Sequence, residues 1–453
     1  MIKHLLVASL LLESLLLGAC HDTSVVGGLQ EVVSMRSIPN RELDILFVID
    51  DSASTADKQV RLAAAFPQMM DVLSQIDGGL PNLHIGVVTS DMGTSSSGTA
   101  PGPTIGQLGA GGCAGVGKDG ALQKTAAMTD AFLSDVAAAN GSRIKNYTGE
   151  LRDVFGELAR VGDTGCGFEQ HLAAMKRALG NPLNAGFLRP RANLAVVFLA
   201  DEDDCSLASS TMLGPDGGAL GALQSFRCFR FGIECNEDTN TIGTKSKCHA
   251  SEGSPYVDDL ATFVDALLAA KFDERMLMTA AIVGDPTPIA VELAIPPGGG
   301  SPQPALQHSC IFTTPNGSDV ADPAVRLAGF LDAFPQRSSL TSICSADLSN
   351  PLQMIGESAK KLMGDACLDT AQLADASPEV GVQPSCEVAD IRDSAPDAAT
   401  LLPLCSSGAP DCYELVADAA ACPTTQDHLR VRIRRVAQVS DDSWTHVRCQ
   451  LAQ

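Results

Sequence analysis

The sequence is short of basic residues, of long apolar runs, and of the short motifs that identify most zinc sites and hydrolases. Lys and Arg number 31 against 54 Asp and Glu, giving a net charge of −23. Because this sign repels polyphosphate, no nucleic-acid partner is expected. Beyond the N-terminal segment no apolar run approaches the roughly 18 residues of a membrane-spanning helix, so the body of the chain is expected to lack one. No C-x2-C, H-E-x-x-H or G-x-S-x-G occurs, so neither structural zinc nor an enzymatic activity is predicted.

The N-terminus has the features of an export signal. A short basic head, Met1 to His4, precedes an apolar run from Leu5 to Leu17, and small residues lead to Cys20. The ending Leu-Gly-Ala-Cys resembles the lipobox of bacterial lipoproteins, in which the cysteine is acylated and becomes the new N-terminus. An ordinary cleaved signal, with Cys20 as a free or paired thiol, is the alternative.

The lipobox resemblance implies a location and the first two segments of the chain. Residues 1–19 would be the signal peptide, and residues 20–40 a lipid-anchored tether that lifts the body off the membrane. His21 follows the anchor cysteine where a retention signal would have Asp. We therefore expect a protein of the bacterial cell envelope, held in the outer membrane by its lipid and facing the periplasm or the surface.

The number of cysteines agrees with export. Of 15 cysteines, removal of Cys20 leaves 14, of which eight lie between Cys113 and Cys344 and six between Cys367 and Cys449. Even sets at irregular spacing in an exported chain indicate disulfides. Up to seven bridges are predicted, with their connectivity left open.

Alternating apolar runs and amphipathic stretches define a main domain over residues 41–366. At 45% hydrophobic residues the chain can bury a core. Buried strands are predicted by the four apolar runs, which are 44–49, 84–89, 194–199 and 276–283. Helices are predicted between and after them, over 58–75, 147–160, 169–179, 257–270, 323–334 and 352–363. This order predicts an α/β fold, doubly wound around a mostly parallel sheet. Long insertions over 91–120, 205–255 and 284–307 are expected to be disulfide-pinned surface loops.

The character of the sequence changes after residue 366. Strict alternation over Leu429 to Arg434 predicts a half-exposed antiparallel strand with its arginines facing water. Residues 367–453 are therefore predicted to form a small Cys-rich β module. Trp444 and Tyr413 are expected in its core rather than on a sugar-stacking surface.

The first predicted strand runs directly into Asp50-Asp51-Ser52-Ala53-Ser54. Ligands of parallel α/β sheets bind beyond the carboxyl ends of the strands, which is where this motif lies. Asp50, Ser52 and Ser54 can direct three hard oxygens at one point, which suits Mg²⁺ or, less strictly, Ca²⁺ or Mn²⁺. Two hydroxyls leave such a cation under-neutralised and able to accept an anionic oxygen from another molecule.

This D-x-S-x-S motif resembles the metal-ion-dependent adhesion site (MIDAS) of von Willebrand factor A (VWA) domains. The resemblance places another metal-site aspartate after the third strand, where Asp201 matches, although Glu202 replaces the usual glycine. It also implies a threonine from a loop between helices. Thr164 is the nearest candidate, but the usual place falls near Cys166, and Glu169 could supply an oxygen instead.

Together with the lipobox, the cysteine pattern and the run from Gly167 to His171, the motif is similar to predicted bacterial VWA-domain lipoproteins. This implies metal-dependent binding of a protein that presents a carboxylate. Two alternatives stay open: a structural envelope lipoprotein whose VWA fold is only a scaffold, and an envelope hydrolase hidden in the insertions. Gly112 to Lys118 fits a phosphate-loop pattern, but Asp119 stands where Ser or Thr is needed, so no nucleotide is expected.

Overall fold

A computed structural model describes most of the chain after its first 28 residues. The described residues are 29–37, 40–76, 78–215, 217–296, 299–314, 317–364, 367–378, 383–419, 422, 425–436, 439–440 and 442–452. The predicted signal peptide and the lipidation site Cys20 lie outside them. Within the described part no helix is both long enough and apolar enough to cross a membrane.

Twenty strands and seven α-helices are found in the described residues. The strands are β1 Gln30–Arg36, β2 Glu42–Ile49, β3 Asn82–Thr89, β4 Leu133–Ala137, β5 Arg143–Lys145, β6 Asn193–Leu199, β7 Ile233–Glu234, β8 Gly243–Lys245, β9 His249–Ala250, β10 Leu277–Val283, β11 Ile289–Ala294, β12 Gln303–Leu306, β13 Cys310–Thr314, β14 Gly317–Ala321, β15 Ser338–Ser342, β16 Cys386–Arg392, β17 Ala395–Leu402, β18 Cys412–Ala417, β19 Leu429–Arg434 and β20 Ser443–Cys449. The helices are α1 Ala56–Ser74, α2 Leu151–Leu158, α3 His171–Gly180, α4 Phe226–Gly232, α5 Ala261–Leu268, α6 Val325–Asp332 and α7 Ser349–Leu362.

The main domain is built on a seven-stranded sheet in the order β15-β10-β6-β2-β3-β4-β5. Its first five strands are mutually parallel, and β4 and β5 extend one edge in antiparallel pairing. The four predicted strands are the four central ones, and every residue of β6 and β10 is buried. The expected doubly wound α/β class, with a mostly parallel sheet, is confirmed.

Helices cover both faces of this sheet. Alternate residues of β2 point to opposite sides: Phe47 joins the core beneath α1, α2 and α7, and Val48 joins the core beneath α3, α5 and α6. On the first face the rings of Phe66 and Phe155 stack with centroids 3.7 Å apart. Each large apolar side chain so buried contributes about 1.5–3 kcal/mol, so the two cores hold the sheet ends in place.

Seven disulfides divide between the two parts of the chain as predicted. Four lie in the main domain, pairing 113 with 166, 205 with 228, 235 with 248 and 310 with 344. Three lie in the C-terminal part, pairing 367 with 422, 386 with 449 and 405 with 412. The insertions also contain short strands of their own, including the sheet β12-β11-β8 and the hairpin β13-β14.

The C-terminal residues form the sheet β1-β20-β16-β17 and the separate hairpin β18-β19. Strand β1 corrects one expectation, because residues 30–36 were assigned to the tether. Alternation explains their true place: Val33 and Met35 are buried in the module core, and β1 pairs antiparallel with β20. Part of the expected tether is thus the N-terminal strand of the β module.

Trp444 and Tyr413 are both buried, as expected of core residues. Trp444 also lies at the junction with the main domain. The guanidinium of Arg275, just before β10, lies 3.7 Å from its ring centroid, and Asp393 accepts hydrogen bonds from both residues. This cation–π contact attaches the module to the sheet domain.

Candidate functional site

The motif after β2 lies where the order of strands in the sheet reverses. From β2 the chain passes first to β3 on one side and later to β6 on the other, and both pair with β2 in parallel. Ile49 is opposite Leu199, and the Asp50 N–H donates to the Leu199 carbonyl at 2.9 Å. Such a reversal opens a crevice beyond the strand ends, so the topology brings Asp50 and Asp201 together.

Four predicted residues form what we call the strand-end cluster: Asp50, Ser52, Ser54 and Asp201. The Ser52 N–H donates to Asp50 Oδ1 at 2.7 Å, and the hydroxyl oxygens of Ser52 and Ser54 are 3.1 Å apart. Ser54 is close enough to Asp201 to favour the charged form of its carboxyl. The Thr55 hydroxyl, which donates to the carbonyls of Asp50 and Ser52, fixes the turn.

One oxygen of each cluster carboxylate has no hydrogen-bond partner among the described residues. These atoms, Asp50 Oδ2 and Asp201 Oδ1, are both buried. Buried polar atoms are nearly always paired, so two orphans beside two hydroxyls fit a hard cation. No group of three or more His, Cys, Asp or Glu in the described part is arranged to hold a metal. Any cation here therefore depends on the serine hydroxyls.

Basic side chains that the sequence analysis did not identify lie against the same acids. Lys58 Nζ is 2.9 Å from Asp201 Oδ2, and it also pairs with Asp319 of β14. His171 Nε2 lies 3.7 Å from Asp50 Oδ2, which is ion-pair range but longer than a hydrogen bond. The available signal for Lys58 was its place one helical turn after Ser54, at the start of α1.

The segment that fits a phosphate-loop pattern, residues 112–118, contacts the strand ends through Lys118. Lys118 Nζ lies 2.8 Å from Asp51 Oδ2, and Asp51 is almost fully buried. The bridge between Cys113 and Cys166 ties this loop to the one that carries Thr164. Each of the three aspartates at the strand ends therefore has a cationic neighbour.

The pKa values of the cluster reflect burial and these neighbours. Burial raises the pKa of Asp50, but His171 and the Ser52 N–H outweigh it and hold the pKa below its ordinary value. Burial and the Asp50 charge raise the pKa of Asp201 to about 6, in spite of Lys58. Burial likewise raises the pKa of Asp51 despite Lys118.

Thr164 is not drawn into the cluster. Its side chain is exposed, and within the described residues no hydrogen bond of its hydroxyl is found; the neighbouring Gly165 N–H donates to the Asp51 carbonyl at 2.8 Å. Cys166 is disulfide-bonded, as expected. Glu169, the alternative oxygen donor, is only 2% exposed and lies near Asp50 and Asp201.

Glu202, the residue at the usual glycine position, lines the same cavity as Glu169. Burial and the mutual repulsion of acids raise both pKa values well above the ordinary glutamate value. For Glu169 the main repulsion comes from Glu202, and for Glu202 it comes from Asp322. The departure of Glu202 from the family pattern thus creates a second acidic centre beside the strand-end cluster.

No family model matches the chain, and no curated protein matches it. Among solved structures it is similar to the pilus adhesin SpaC from Lactobacillus rhamnosus GG, at 10% identity and a TM-score of 0.31, over 93% of this chain and 40% of that one. A von Willebrand factor type A protein from Catenulispora acidiphila gives 10% identity and a TM-score of 0.29, over 94% and 66%. The protein BatB from Bacteroides thetaiotaomicron gives 11% and 0.25, over 71% and 98%. The chain thus spans about two fifths of the length of SpaC, and the likeness concerns the fold alone.

Proposed function

We propose that the chain is an envelope lipoprotein, anchored in the outer membrane through Cys20, that binds a protein partner in a metal-dependent way. The partner presents a carboxylate to a divalent cation, Mg²⁺ or alternatively Ca²⁺ or Mn²⁺, at a MIDAS-type site. The role is adhesion rather than catalysis, and it involves no nucleotide or nucleic acid.

One observation carries this proposal. Asp50 Oδ2 and Asp201 Oδ1 are buried without hydrogen bonds from any described residue, beside the paired hydroxyls of Ser52 and Ser54, at the switch point of a doubly wound sheet. A buried acceptor without a donor costs about 1–3 kcal/mol, more for a charged group, which a bound cation would remove.

Each residue has a part in the proposal. Asp50, Ser52 and Ser54 hold the cation from the motif loop, and Asp201 holds or orients it from the neighbouring strand end. Thr164 stays provisional because its side chain is exposed, and Glu169 stays the alternative oxygen donor. When bound, the cation supplies an electrophilic position for a partner carboxylate. The cation–π contact between Arg275 and Trp444 keeps the C-terminal module attached beside the sheet.

Thermal unfolding in Mg²⁺ and in chelator tests the metal site. A ligand that binds only the folded state stabilises it by about 2.7 kcal/mol at 100 times its Kd, so Mg²⁺ should raise the Tm of the full chain. The double variant Ser52→Ala with Asp201→Ala should lose this rise, and chelator-sensitive capture of a partner with it. Ser142→Ala with Asp153→Ala, at two exposed positions, is the matched control and should keep both.

A scaffold without metal function is the second candidate, and the ion pair of Lys58 with Asp201 favours it. The ammonium already neutralises one carboxylate of the strand-end cluster. If Mg²⁺, Ca²⁺ and Mn²⁺ all leave the Tm unchanged while the fold is intact, the scaffold is correct and metal-dependent adhesion is wrong.

A further inference from the structure

A cavity of about 300 Å³ lies beside the strand-end cluster. It is enclosed by the loop after β6, the start of α4, the hairpin β11-β12 and the segment after β14. The Asp322 N–H in that last segment donates to the Asp201 carbonyl at 2.8 Å, so cavity and cluster share one edge of the sheet. Much of the wall comes from insertions, and the bridge between Cys205 and Cys228 fixes α4 against the loop after β6.

Five acids line this cavity, and three of them are already compensated. Asp203 accepts the backbone N–H groups of Arg326 and Leu327 at 2.7 and 3.1 Å. Asp204 pairs with the Arg326 guanidinium at 3.2 Å. Asp322 pairs with His308 Nδ1 at 2.7 Å. These three carboxylates serve the structure of the cavity wall.

The other two, Glu169 and Glu202, have no cationic partner in the described part of the chain. Glu169 is 2% exposed, lines the cavity, and receives no hydrogen bond there from any other residue's side chain. Glu202 is half-buried, and the nearby Ser225 hydroxyl favours its charged form. An ionised carboxylate is costly to bury unpaired, so a cation from outside would lower the cost of the charged form of either glutamate.

An apolar wall of the cavity decides what kind of cation fits. It is apolar and partly aromatic, formed by Phe226, Phe229, Leu306 and the 66%-exposed Ile295 at the rim. No three acids or imidazoles of the described residues are arranged for a metal ion. An apolar stem that ends in a charged head matches both walls, and lysine and arginine side chains have this construction. A volume near the lower limit of ligand pockets, about 300 Å³, suits one side chain rather than a large molecule.

We propose that this cavity binds a lysine or arginine side chain of the protein partner, with its cationic head against Glu169 and Glu202 and its stem along Phe226 and Phe229. The inference rests on the proposed function in naming the partner: a partner would present a carboxylate to the strand-end cluster and a basic residue to the cavity beside it. Recognition then requires both charges at one spacing, which discriminates more sharply than either alone.

Small probes test the cavity without the metal or the partner. The full chain is titrated in chelator with Nα-acetyl-arginine amide and Nα-acetyl-lysine amide, and with the uncharged Nα-acetyl-norleucine amide, by calorimetry and ligand-observed NMR. The basic amides should bind at least tenfold more tightly than the norleucine amide. Glu202→Gln and Glu169→Gln should each weaken them about tenfold, and Ala305→Trp, which fills the cavity, should abolish binding.

Glu292→Gln is the matched control. It removes one carboxylate from the same hairpin, bonded to Gln307 outside the cavity, and should leave binding unchanged. Circular dichroism checks the fold of every variant. The Ala305→Trp result is used only if that variant is folded. If it is not, the two isosteric Glu→Gln variants are sufficient to test whether the cavity binds the basic amides. Equal binding of the norleucine amide, no binding of either basic amide, or unchanged binding in both Glu→Gln variants overturns the proposal.

The outcome is separable from that of the metal site. Amide binding without any effect of Mg²⁺ on Tm would support the basic-side-chain cavity and contradict the metal-dependent function. A Mg²⁺-induced rise in Tm without amide binding would support the metal-dependent function and contradict the basic-side-chain cavity. If both are found, Glu202→Gln should reduce partner capture while the Mg²⁺-induced rise in Tm persists, whereas Ser52→Ala should diminish both.

Discussion

Two groups of acids lie side by side at one edge of the sheet, and they differ in how their charge is compensated. Asp50, Asp51 and Asp201 each have a cation of the same chain nearby, namely His171, Lys118 and Lys58. Glu169 and Glu202, beside them, have none among the described residues, and their pKa values are raised by burial and by repulsion from neighbouring acids, mainly Glu202 for Glu169 and Asp322 for Glu202. The first group is charge-balanced by the fold, whereas the second depends on a ligand.

This difference indicates which of the two groups is expected to contribute more to the specificity of binding. Internal cations lower the net charge of the strand-end cluster, so a metal there would have to compete with Lys58. In the cavity, Glu169 and Glu202 are repelled by neighbouring acids, and a bound cation of the right shape would reduce this repulsion. Proteins commonly retain such locally unfavourable arrangements where they bind, at some cost in stability.

The largest expected effect comes from removing the cation of the first group. Lys58 is 2% exposed and bonded to Asp201, Asp319 and the Ser54 carbonyl. Lys58→Met leaves the buried carboxylate of Asp201 without its cationic partner, which costs about 3–5 kcal/mol, whereas Asp319 keeps its ion pair with Arg61. Chemical denaturation in chelator should show this loss, and Mg²⁺ should recover part of it by taking the vacated place. Lys247→Met, at an exposed lysine, should change little; a Lys58→Met protein as stable as wild type would contradict the balanced cluster.

A smaller loss is expected at Lys118, because this lysine is 35% exposed and its ion pair with Asp51 is partly screened by water. Lys118→Met should cost about 1–2 kcal/mol, between the values for exposed and buried pairs. Denaturant midpoints compared with Lys124→Met, an exposed lysine in the following segment, measure it. If Lys118→Met lost as much free energy of unfolding as Lys58→Met, solvent exposure would not explain the relative strengths of these two ion pairs.

The sequence predicted the parts of the molecule that local patterns determine. Four buried strands and the position of Asp50 after β2 followed from apolar runs, and the division of the cysteines into two even-numbered sets, eight and six, followed from counting them. Asp201 followed from the family resemblance and the order of strands. In contrast, the edge strands β4 and β5 and the hairpin β13-β14 are short and half-exposed, so their residues give no clear alternation.

The electrostatics of the site could not be predicted, because they depend on long-range contacts. Asp319 approaches Lys58 from 261 residues away, and Lys118 reaches Asp51 from a loop positioned by the Cys113–Cys166 bridge. Thr164 was chosen as the threonine nearest to the place that the resemblance implies, and counting along the chain cannot show that Gly165 rather than Thr164 would face Asp51. The assignment of residues 30–36 to a tether failed for the same reason, since their partner β20 lies at the other end of the chain.

In the cavity we expect a substitution to stabilise the protein, whereas the substitutions of Lys58 and Lys118 should destabilise it. Glu202→Gln keeps the shape but removes a carboxyl whose charged form is disfavoured in the folded protein by burial and by acidic neighbours, so it should stabilise the free protein by about 1 kcal/mol, or a Tm rise of roughly 2 °C. Glu292→Gln, on the exposed hairpin, should not. Differential scanning calorimetry in chelator distinguishes them. Destabilisation by Glu202→Gln would mean that its charge is compensated in the free protein, and the contrast between the two groups would disappear.

The smallest effect concerns His308, the half-exposed partner of Asp322 at the cavity wall. The hydrogen bond to Asp322 raises the pKa of His308 above its ordinary 6.5, against some loss from burial. A raised histidine pKa stabilises the fold fully below about pH 6.5, and the contribution disappears as pH rises through the folded value. His308→Gln should therefore lower Tm slightly at pH 5.5, and the difference from wild type should vanish by about pH 9. His249→Gln, at an exposed histidine without a carboxylate partner in the described residues, should show no such trend. A Tm difference between His308→Gln and wild type that grows with pH would show that protonated His308 does not stabilise Asp322. Asp322 would then be without a compensating cation, like the two glutamates.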